Sequence, residues 1–241
     1  MSADAPFTKE NLDACLKELG KEFRKRNGTA MSAEIILIGG ASVLANYGFR
    51  DVTYDIDAVI IASSAMKEAA NHVSDKMGLP NGWLNMDFKR TKSYSDKLAE
   101  VSVYYKTFSN ILTVRTITAE YLIAMKLRSG RRYKYDLSDI VGILWEHEKT
   151  GAPILRETID IAVEVLYGDW TEIPPVSIEL IDTAFESGDY EKLFYCSRES
   201  ERMSKEILIE FDRDYPNALN EDSIDAIIER AKRNRVDKDA T

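Results

Sequence analysis

The chain has 241 residues, of which 44% are hydrophobic and 30% charged, a composition typical of a folded globular protein and not of a disordered one. We expect no membrane span and no secretory signal, because no apolar run approaches roughly 20 residues and the first residues lack a basic-then-apolar pattern. The two cysteines, Cys15 and Cys196, are far apart, and neither histidine has a Cys or His neighbour, which argues against a disulfide framework and a zinc site and favours the cytoplasm.

The net charge of −9 is distributed unevenly along the chain. Residues 1–150 contain 21 Lys and Arg against 19 Asp and Glu, whereas residues 151–241 contain 11 against 22. Because the acidic part repels polyanions, we expect any contact with phosphate groups to come from residues 1–150. The acidic part is either a solvated helical surface or a docking surface for a basic partner.

Hydrophobic periodicity predicts both helices and strands in the first half of the chain. Apolar residues at helical spacing predict an amphipathic helix over residues 7–26. A short β-branched run predicts a buried strand at 35–38, ended by the Gly39-Gly40 turn. The other elements expected here are a helix at 41–47, a strand at 56–61, a helix at 63–77 and a hairpin of strands at 100–108 and 111–117.

From residue 118 onward the pattern is helical throughout. The expected helices cover residues 119–127, 135–148, 153–166, 176–187, 189–211 and 222–233. The sequence therefore predicts an α/β (α+β) fold, a mixed sheet with flanking helices followed by a helical C-terminal domain. We assign residues 1–150 to the first domain and 151–241 to an acidic helical domain, with the boundary placed anywhere from about 117 to 153.

Two carboxylates, Asp55 and Asp57, open the second expected strand. Residues i and i+2 of a strand point to the same face, so these side chains project together and repel each other unless a cation lies between them. Mg²⁺ prefers oxygen ligands, commonly one or two carboxylates together with substrate phosphates. The pair is therefore a candidate metal site.

The glycine turn completes this candidate site. Gly39 and Gly40 allow close approach of the backbone to a ligand, and the helix after them directs free N–H groups at an anion. Ser42 is expected to add a hydroxyl donor to bound phosphates. Alone, a Gly-Gly pair is most often a tight turn and a D-x-D pair an exposed polar strand edge, whereas their combination favours a phosphate site.

The stretch IGGASVLANYGFRDVTYDIDAVI, which contains these residues, resembles the signature of the nucleotidyltransferase superfamily. Its Arg-x-x-Thr-x-Asp-x-Asp spacing is similar to the AbiEii-like branch, which includes toxin components of toxin–antitoxin pairs. The resemblance implies the nucleotidyltransferase fold, Mg²⁺ as cofactor and a nucleoside triphosphate (NTP) as substrate. It also implies that Arg50 and Thr53 support the loop or touch the nucleotide.

A second stretch, EYLIAMKLRSGRRYKYDLSDI, resembles a further motif of the same branch. By this resemblance Lys126 matches the motif lysine, Asp136 the acid after the basic residue and Asp139 the acid three positions on. Crowded cations that include Arg131 fit a triphosphate, with Lys126 neutralising phosphate charge and Asp136 ordering or activating the acceptor. The ordinary alternatives are a solvated basic loop, a surface lysine and a helix cap.

The expected strands lack an internal third carboxylate, which many nucleotidyltransferases carry on a later strand. Glu100 lies at the edge of one expected strand and Asp87 in the segment before it. Either of these residues supplies the third carboxylate, or Asp136 supplies it from its helix, or the site is degenerate. We favour Asp136.

These motifs lead to one preferred function and two alternatives. The preferred function is Mg²⁺-dependent transfer of a nucleoside monophosphate from an NTP to an acceptor hydroxyl, with Asp55 and Asp57 as metal ligands. By resemblance the acceptor is a tRNA end or a protein side chain, and a toxin of this kind has a cognate antitoxin as partner. The alternatives are a small-molecule nucleotidyltransferase of the aminoglycoside type, which suits the acidic half, and a catalytically degenerate binding protein.

Overall fold

The computed structural model describes residues 6–28, 31–220 and 223–239, without the side chains of residues 234–239. The strands are β1 (Ala33–Leu37), β2 (Ile56–Ile61), β3 (Leu84–Asn85), β4 (Ser102–Phe108) and β5 (Leu112–Ile117). The helices are α1 (Lys9–Asn27), α2 (Gly39–Asn46), α3 (Ala65–Met77), α4 (Ala119–Ser129), α5 (Asp136–Lys149), α6 (Arg156–Tyr167), α7 (Pro175–Ser187), α8 (Tyr190–Asp214) and α9 (Ile224–Asp239). Residue 222, the expected start of the last helix, lies outside the described residues.

The strands form one mixed sheet in the order β3-β2-β1-β5-β4. β1 pairs with β2 antiparallel and with β5 parallel, β2 pairs with β3 parallel, and β4 with β5 antiparallel. Ser109 and Asn110, both at positive φ, make the tight turn between β4 and β5 that their composition predicts. The predicted α/β (α+β) fold, a mixed sheet with helices followed by further helices, is confirmed.

Alternate residues of β1, together with Ile38, which directly follows it, face two hydrophobic clusters. Ile35 and Leu37 pack in a cluster with residues of α1 and α3, whereas Ile36 and Ile38 pack in a second cluster with residues of α4 to α7. This period of two is the geometry of a strand covered by helices on both faces. The second cluster joins residues on both sides of position 150, and the division into domains 1–150 and 151–241 stays a prediction.

α8 connects the acidic part of the chain to the start of α5. The side chain of Glu201 on α8 accepts hydrogen bonds from the backbone N–H groups of Leu137, at 2.8 Å, and Ser138, at 3.3 Å. These N–H groups belong to the first turn of α5 and have no partner within that helix. A residue far along the chain thus caps α5.

Within the described ranges, none of the helices is at once long and apolar enough to cross a lipid bilayer.

Candidate functional site

The Gly39-Gly40 turn places the start of α2 beside Asp57. Gly39 has a φ of +53°, in the left-handed region that favours glycine. The N–H of Ile38 donates to the carbonyl of Asp57 at 3.0 Å, and a Cβ built on Gly39 would lie 3.9 Å from Asp57 Oδ2. The carboxylate of Asp57 therefore lies at the N-terminal end of α2, which begins two residues before its expected start.

Asp55 and Asp57 are close enough to influence each other's charge. Asp55 is exposed and directly precedes β2, and Asp57 is the second residue of that strand and is half-buried. Burial, followed by the charge of Asp55, raises the pKa of Asp57, and the cations of Arg131, Lys134 and Lys126 oppose this rise. A cation bound between the two carboxylates would relieve the repulsion that raises this pKa.

The donor set at this position fits Mg²⁺ bound jointly by protein and phosphate oxygens. Asp55 and Asp57 supply carboxylate oxygens, and Asn85 of β3 is the neighbour of Asp57 in the sheet. In the part of the chain that the structure describes, no three Asp, Glu, His or Cys side chains come together as a metal site. Glu100 and Asp87 thus do not complete a three-carboxylate cluster with Asp55 and Asp57.

Gly40 lets the loop between α2 and β2 fold tightly against the turn. A Cβ at Gly40 would approach Arg50 Nη2 and Thr53 Oγ1 to 2.8 Å, closer than real Cβ atoms come. Thr53 is 2% exposed, and its hydroxyl donates to the carbonyl of Asp55 at 3.2 Å. These contacts lie within the loop and the turn, and the expected role of Arg50 and Thr53, loop support or contact with the nucleotide, stays a prediction.

Ser42 faces the protein interior, contrary to its expected role as a phosphate donor. Its side chain is fully buried, and its hydroxyl accepts a hydrogen bond from the backbone N–H of Ile117 at 3.2 Å. Because its side chain is buried against the end of β5, Ser42 is not exposed at the end of α2 that lies beside Asp57. In this arrangement Ser42 joins α2 to the end of β5.

The residues of the second motif form a buried ionic cluster. The ammonium of Lys126 lies 2.8 Å from Asp136 Oδ1 and 2.9 Å from Asp139 Oδ2. Arg131 donates from Nε to Asp136 Oδ2 at 2.8 Å, and Arg50 forms an ion pair with Asp139. The cluster therefore joins α4, α5 and the loop between α2 and β2.

This burial changes the roles expected for Lys126 and Asp136. Burial lowers the pKa of Lys126, but the charges of Asp136 and Asp139 outweigh it and hold that pKa above its ordinary value. Burial raises the pKa of Asp136, but Lys126 and Arg131 outweigh it and hold that pKa well below its ordinary value. With Lys126 6% exposed and Asp136 1% exposed, both are engaged inside the protein, so Lys126 is not the surface lysine of the ordinary alternative.

The cations that remain accessible near Asp57 come from the loop before α5. Lys134 is exposed and Arg131 half-buried, and both act on the charge of Asp57. Arg132 is paired with Glu229 of α9. Lys134 and the exposed part of Arg131 are therefore the groups best placed to meet an anion held at Asp57.

Two residues of α8 beside the site were not found from the sequence. Glu201 caps α5, and burial, the largest cause, raises its pKa to about 7. The guanidinium of Arg198 lies over the rings of Tyr135, at 4.2 Å, and Phe194, at 5.3 Å. Glu201 and Arg198 lie 63 and 60 residues from Ser138, their shared partner on α5, so no local pattern could have indicated these contacts.

Comparison with known proteins shows the family to which the chain is similar. A family model described as "nucleotidyltransferase of unknown function (DUF6036)" matches residues 14–165, more than half of the chain. These residues include the glycine turn, both aspartates and the ionic cluster. No curated protein matches the chain, and no solved structure matches it.

Proposed function

The chain belongs to this family of nucleotidyltransferases, and from that premise we propose that Asp55 and Asp57 form the centre of an Mg²⁺-dependent nucleotidyl-transfer site. The substrate is an NTP, and the products are a nucleotidylated acceptor and pyrophosphate. The acceptor is a hydroxyl group of RNA, such as a tRNA end, or of a protein side chain.

One observation carries this proposal: the N-terminus of α2, the Asp55–Asp57 pair and the basic loop before α5 meet at one place. A Cβ built on Gly39 would lie 3.9 Å from Asp57 Oδ2, and Arg131 and Lys134 act on the charge of the same carboxylate. A helix N-terminus and exposed cations favour phosphate groups, whereas a carboxylate pair favours a divalent cation. A metal-bound triphosphate combines both requirements in one ligand.

In the proposed reaction the acceptor oxygen attacks the α-phosphorus of the NTP. A new P–O bond forms to the acceptor, the bond between the α-phosphorus and the α–β bridging oxygen breaks, and pyrophosphate leaves. Asp55 and Asp57 would hold Mg²⁺, which would supply charge neutralisation at the phosphates. The α2 N–H groups and Lys134 orient the triphosphate, and the acceptor proton passes to solvent.

The ionic cluster has a positioning role in this scheme. Asp139 and Asp136 fix Arg50 and Arg131, which lie on the two loops that border the aspartate pair. Preorganised groups of this kind hold a reacting geometry without reorganisation during the reaction. Lys126 acts through these carboxylates and does not itself touch phosphate.

A label-transfer assay tests the proposal. Protein is incubated with Mg²⁺ and each α-labelled NTP, with total RNA, a cell protein extract or neither. We expect label to move to one acceptor class with wild type and not with the Asp55→Asn/Asp57→Asn double variant, which keeps the side-chain size. Absence of transfer by wild type with every NTP and acceptor would contradict the proposal. Growth arrest on expression, relieved by a cognate antitoxin, separately tests a toxin role.

The missing third carboxylate supports a second candidate, a nucleotide-binding protein without catalysis. Among the described residues, Asp55 and Asp57 have no further acidic side chain with which to form a metal cluster. This candidate predicts Mg²⁺-dependent heat on titration with an NTP and no release of pyrophosphate. The transferase predicts the heat of binding and also the release of pyrophosphate.

A further inference from the structure

An aromatic cavity lies between α5, α8 and the loop that follows α2. Its volume is about 560 Å³, large enough for a nucleotide. Rings of Phe49, Trp145, Phe194 and Tyr195 line it. Phe194 lies 5.7 Å from Trp145, 5.6 Å from Phe49 and 5.3 Å from Tyr195, measured between ring centroids, so the four rings are continuous.

Arg198 lies where this cavity meets a second, smaller one. The second cavity has a volume of about 190 Å³ and is lined by Arg50, Val52, Tyr135 and Arg202 in addition to Asp51 and Arg198, which line both cavities. Aromatic surface thus dominates one side of Arg198 and guanidinium groups the other.

Arg198 differs from the other two arginines of the second cavity, because those two are paired with carboxylates. Arg50 is paired with Asp139, and Arg202 with Glu199 and Glu206. Arg198 makes only long hydrogen bonds, of 3.4 Å, to Ser138 Oγ and the carbonyl of Phe49, and no carboxylate of the described residues is in ion-pair range. Its positive charge, held between the rings of Tyr135 and Phe194, is available to an anion.

The acidic groups at the cavity do not neutralise this charge. Glu146 is paired with Lys149 at 3.0 Å, and Lys149 in turn lies over the Trp145 ring at 3.9 Å. Asp51 is exposed at the rim. An anion would therefore be bound on the Arg198 side and an uncharged planar group among the rings.

We propose that the joined cavities are a nucleotide subsite, in which the base stacks among Phe49, Trp145, Phe194 and Tyr195 and a phosphate binds Arg198. Stacking on aromatic rings beside an arginine is a common way to hold a base and its phosphate. The subsite rests on the proposed function and names a second contact for its substrates. Its nucleotide is either the terminal residue of the acceptor or the nucleoside of the donor NTP.

The geometry of α8 joins this subsite to the aspartate pair. Lys205, two turns after Arg198 and roughly 10 Å along the helix, lies over the Tyr54 ring at 5.6 Å. Tyr54 directly precedes Asp55. One face of α8 therefore extends from the aromatic cavity to the residue that precedes the aspartate pair, over a length that a nucleotide and its phosphates can span.

A calorimetric titration with adenosine monophosphate (AMP) in the absence of Mg²⁺ tests the subsite. We expect wild type and Asp55→Asn/Asp57→Asn to bind AMP equally, and Arg198→Ala and Trp145→Ala to bind it about tenfold or more weakly. Arg213→Ala, at an exposed arginine of the same helix away from the cavities, should bind as wild type does. Thermal unfolding of each variant identifies any that fails to fold. If Arg198→Ala does not fold, Arg198→Lys, which keeps the charge but not the planar stacking, replaces it in the titration.

Three results of this AMP titration would overturn the subsite: no AMP binding by wild type, unchanged binding by Arg198→Ala and Trp145→Ala, or loss of binding in Asp55→Asn/Asp57→Asn. Failure of the proposed function is distinct, because label transfer would be absent while AMP binding remained. Conversely, label transfer that is unaffected by Arg198→Ala and Trp145→Ala would remove the subsite and leave the proposed function intact.

A competition experiment distinguishes the two sources of the nucleotide. Wild type is saturated with Mg²⁺ and an ATP analogue with a methylene group between its α and β phosphates, and AMP is then titrated. Unchanged AMP affinity assigns the subsite to the acceptor. Displacement of AMP, together with weaker analogue binding by Arg198→Ala, assigns it to the donor. Displacement without that weakening places AMP at the transfer site and overturns the proposal.

Discussion

Gly40 shows how one missing side chain shapes the candidate site. Arg50 Nη2 and Thr53 Oγ1 occupy the space that a Cβ at this position would need. Arg50 also reaches Asp139, so displacement of its guanidinium would disturb the ionic cluster. The glycine therefore lets the turn pack against the loop between α2 and β2, whose Arg50 belongs to the ionic cluster.

We predict that Gly40→Ala lowers the free energy of unfolding by about 1–3 kcal/mol, the usual cost of overpacking, and also lowers nucleotidyl transfer. The matched control is Gly48→Ala, because a Cβ at Gly48 meets open space. Urea unfolding of both variants checks the prediction. Equal stability of the two variants would show that the loop accommodates the methyl group.

Lys126 is the second residue whose substitution is informative. In Lys126→Met, Asp136 and Asp139 lose a buried cationic partner, and removal of one member of a buried ion pair commonly costs about 3–5 kcal/mol. Lys67→Met, at an exposed position of α3, is the control. Chemical denaturation measures both, and a loss confined to activity, with unfolding unchanged, would instead indicate direct contact of Lys126 with substrate.

At residue scale, the sequence could predict proximity only for groups that are close along the chain. Gly39, Asp55 and Asp57 share one short motif, and their spacing is enough to place them together on a turn and a strand. The partner of Arg50 could not be inferred, because Arg50 and Asp139 lie 89 residues apart and meet only through tertiary packing. Ser42 was misassigned for the same reason, since its partner Ile117 is at the end of β5, 75 residues further along the chain.

At the scale of elements, α8 acts on α5 through Glu201. Its carboxylate caps α5 while being 2% exposed, and burial followed by the charge of Asp139 raises its pKa to about 7, although hydrogen bonds from Ser138 and Leu137 oppose the rise. A carboxyl group whose folded pKa is raised binds its proton more strongly in the folded state than in the unfolded one. Its contribution to stability is therefore full below pH 4.5 and is lost as pH rises to about 7.

We predict that stability falls more steeply with pH in wild type than in Glu201→Gln. The shift from 4.5 to about 7 corresponds to at most roughly 3 kcal/mol between pH 4.5 and 7.5. Urea unfolding across this pH range measures the difference, with Glu191→Gln, an exposed position on α8, as control. Parallel curves for wild type and Glu201→Gln would contradict the assigned shift.

Most elements follow from local sequence patterns, with ends that differ by a few residues. The β4–β5 hairpin has its turn at Ser109-Asn110, where polar residues interrupt two apolar runs. β3 was not predicted, because it has two residues and exists through pairing with β2, supported by the Ile56 N–H bond to the Trp83 carbonyl at 2.9 Å. Such a short strand has no periodicity of its own.

For the whole molecule, the helices that follow residue 150 contribute to both the core and the candidate site. Residues of α6 and α7 share a hydrophobic cluster with Ile36 and Ile38, and α8 caps α5. We predict that a fragment of residues 1–150 does not fold cooperatively, because cutting there exposes this cluster to water. Near-ultraviolet circular dichroism and thermal unfolding check this, and a sharp transition in the fragment would instead establish residues 1–150 as an independent domain.

The central claim, nucleotidyl transfer at Asp55 and Asp57, is tested most directly by pyrophosphate release from an NTP as a function of Mg²⁺ concentration. Wild type should release pyrophosphate in step with acceptor labelling, and Asp57→Asn should lower the rate about a hundredfold or more. Asp75→Asn, at an exposed aspartate of α3, should behave as wild type. Equal, Mg²⁺-dependent release by wild type and Asp57→Asn would contradict the account, because transfer would then occur without the carboxylate on which the site is built.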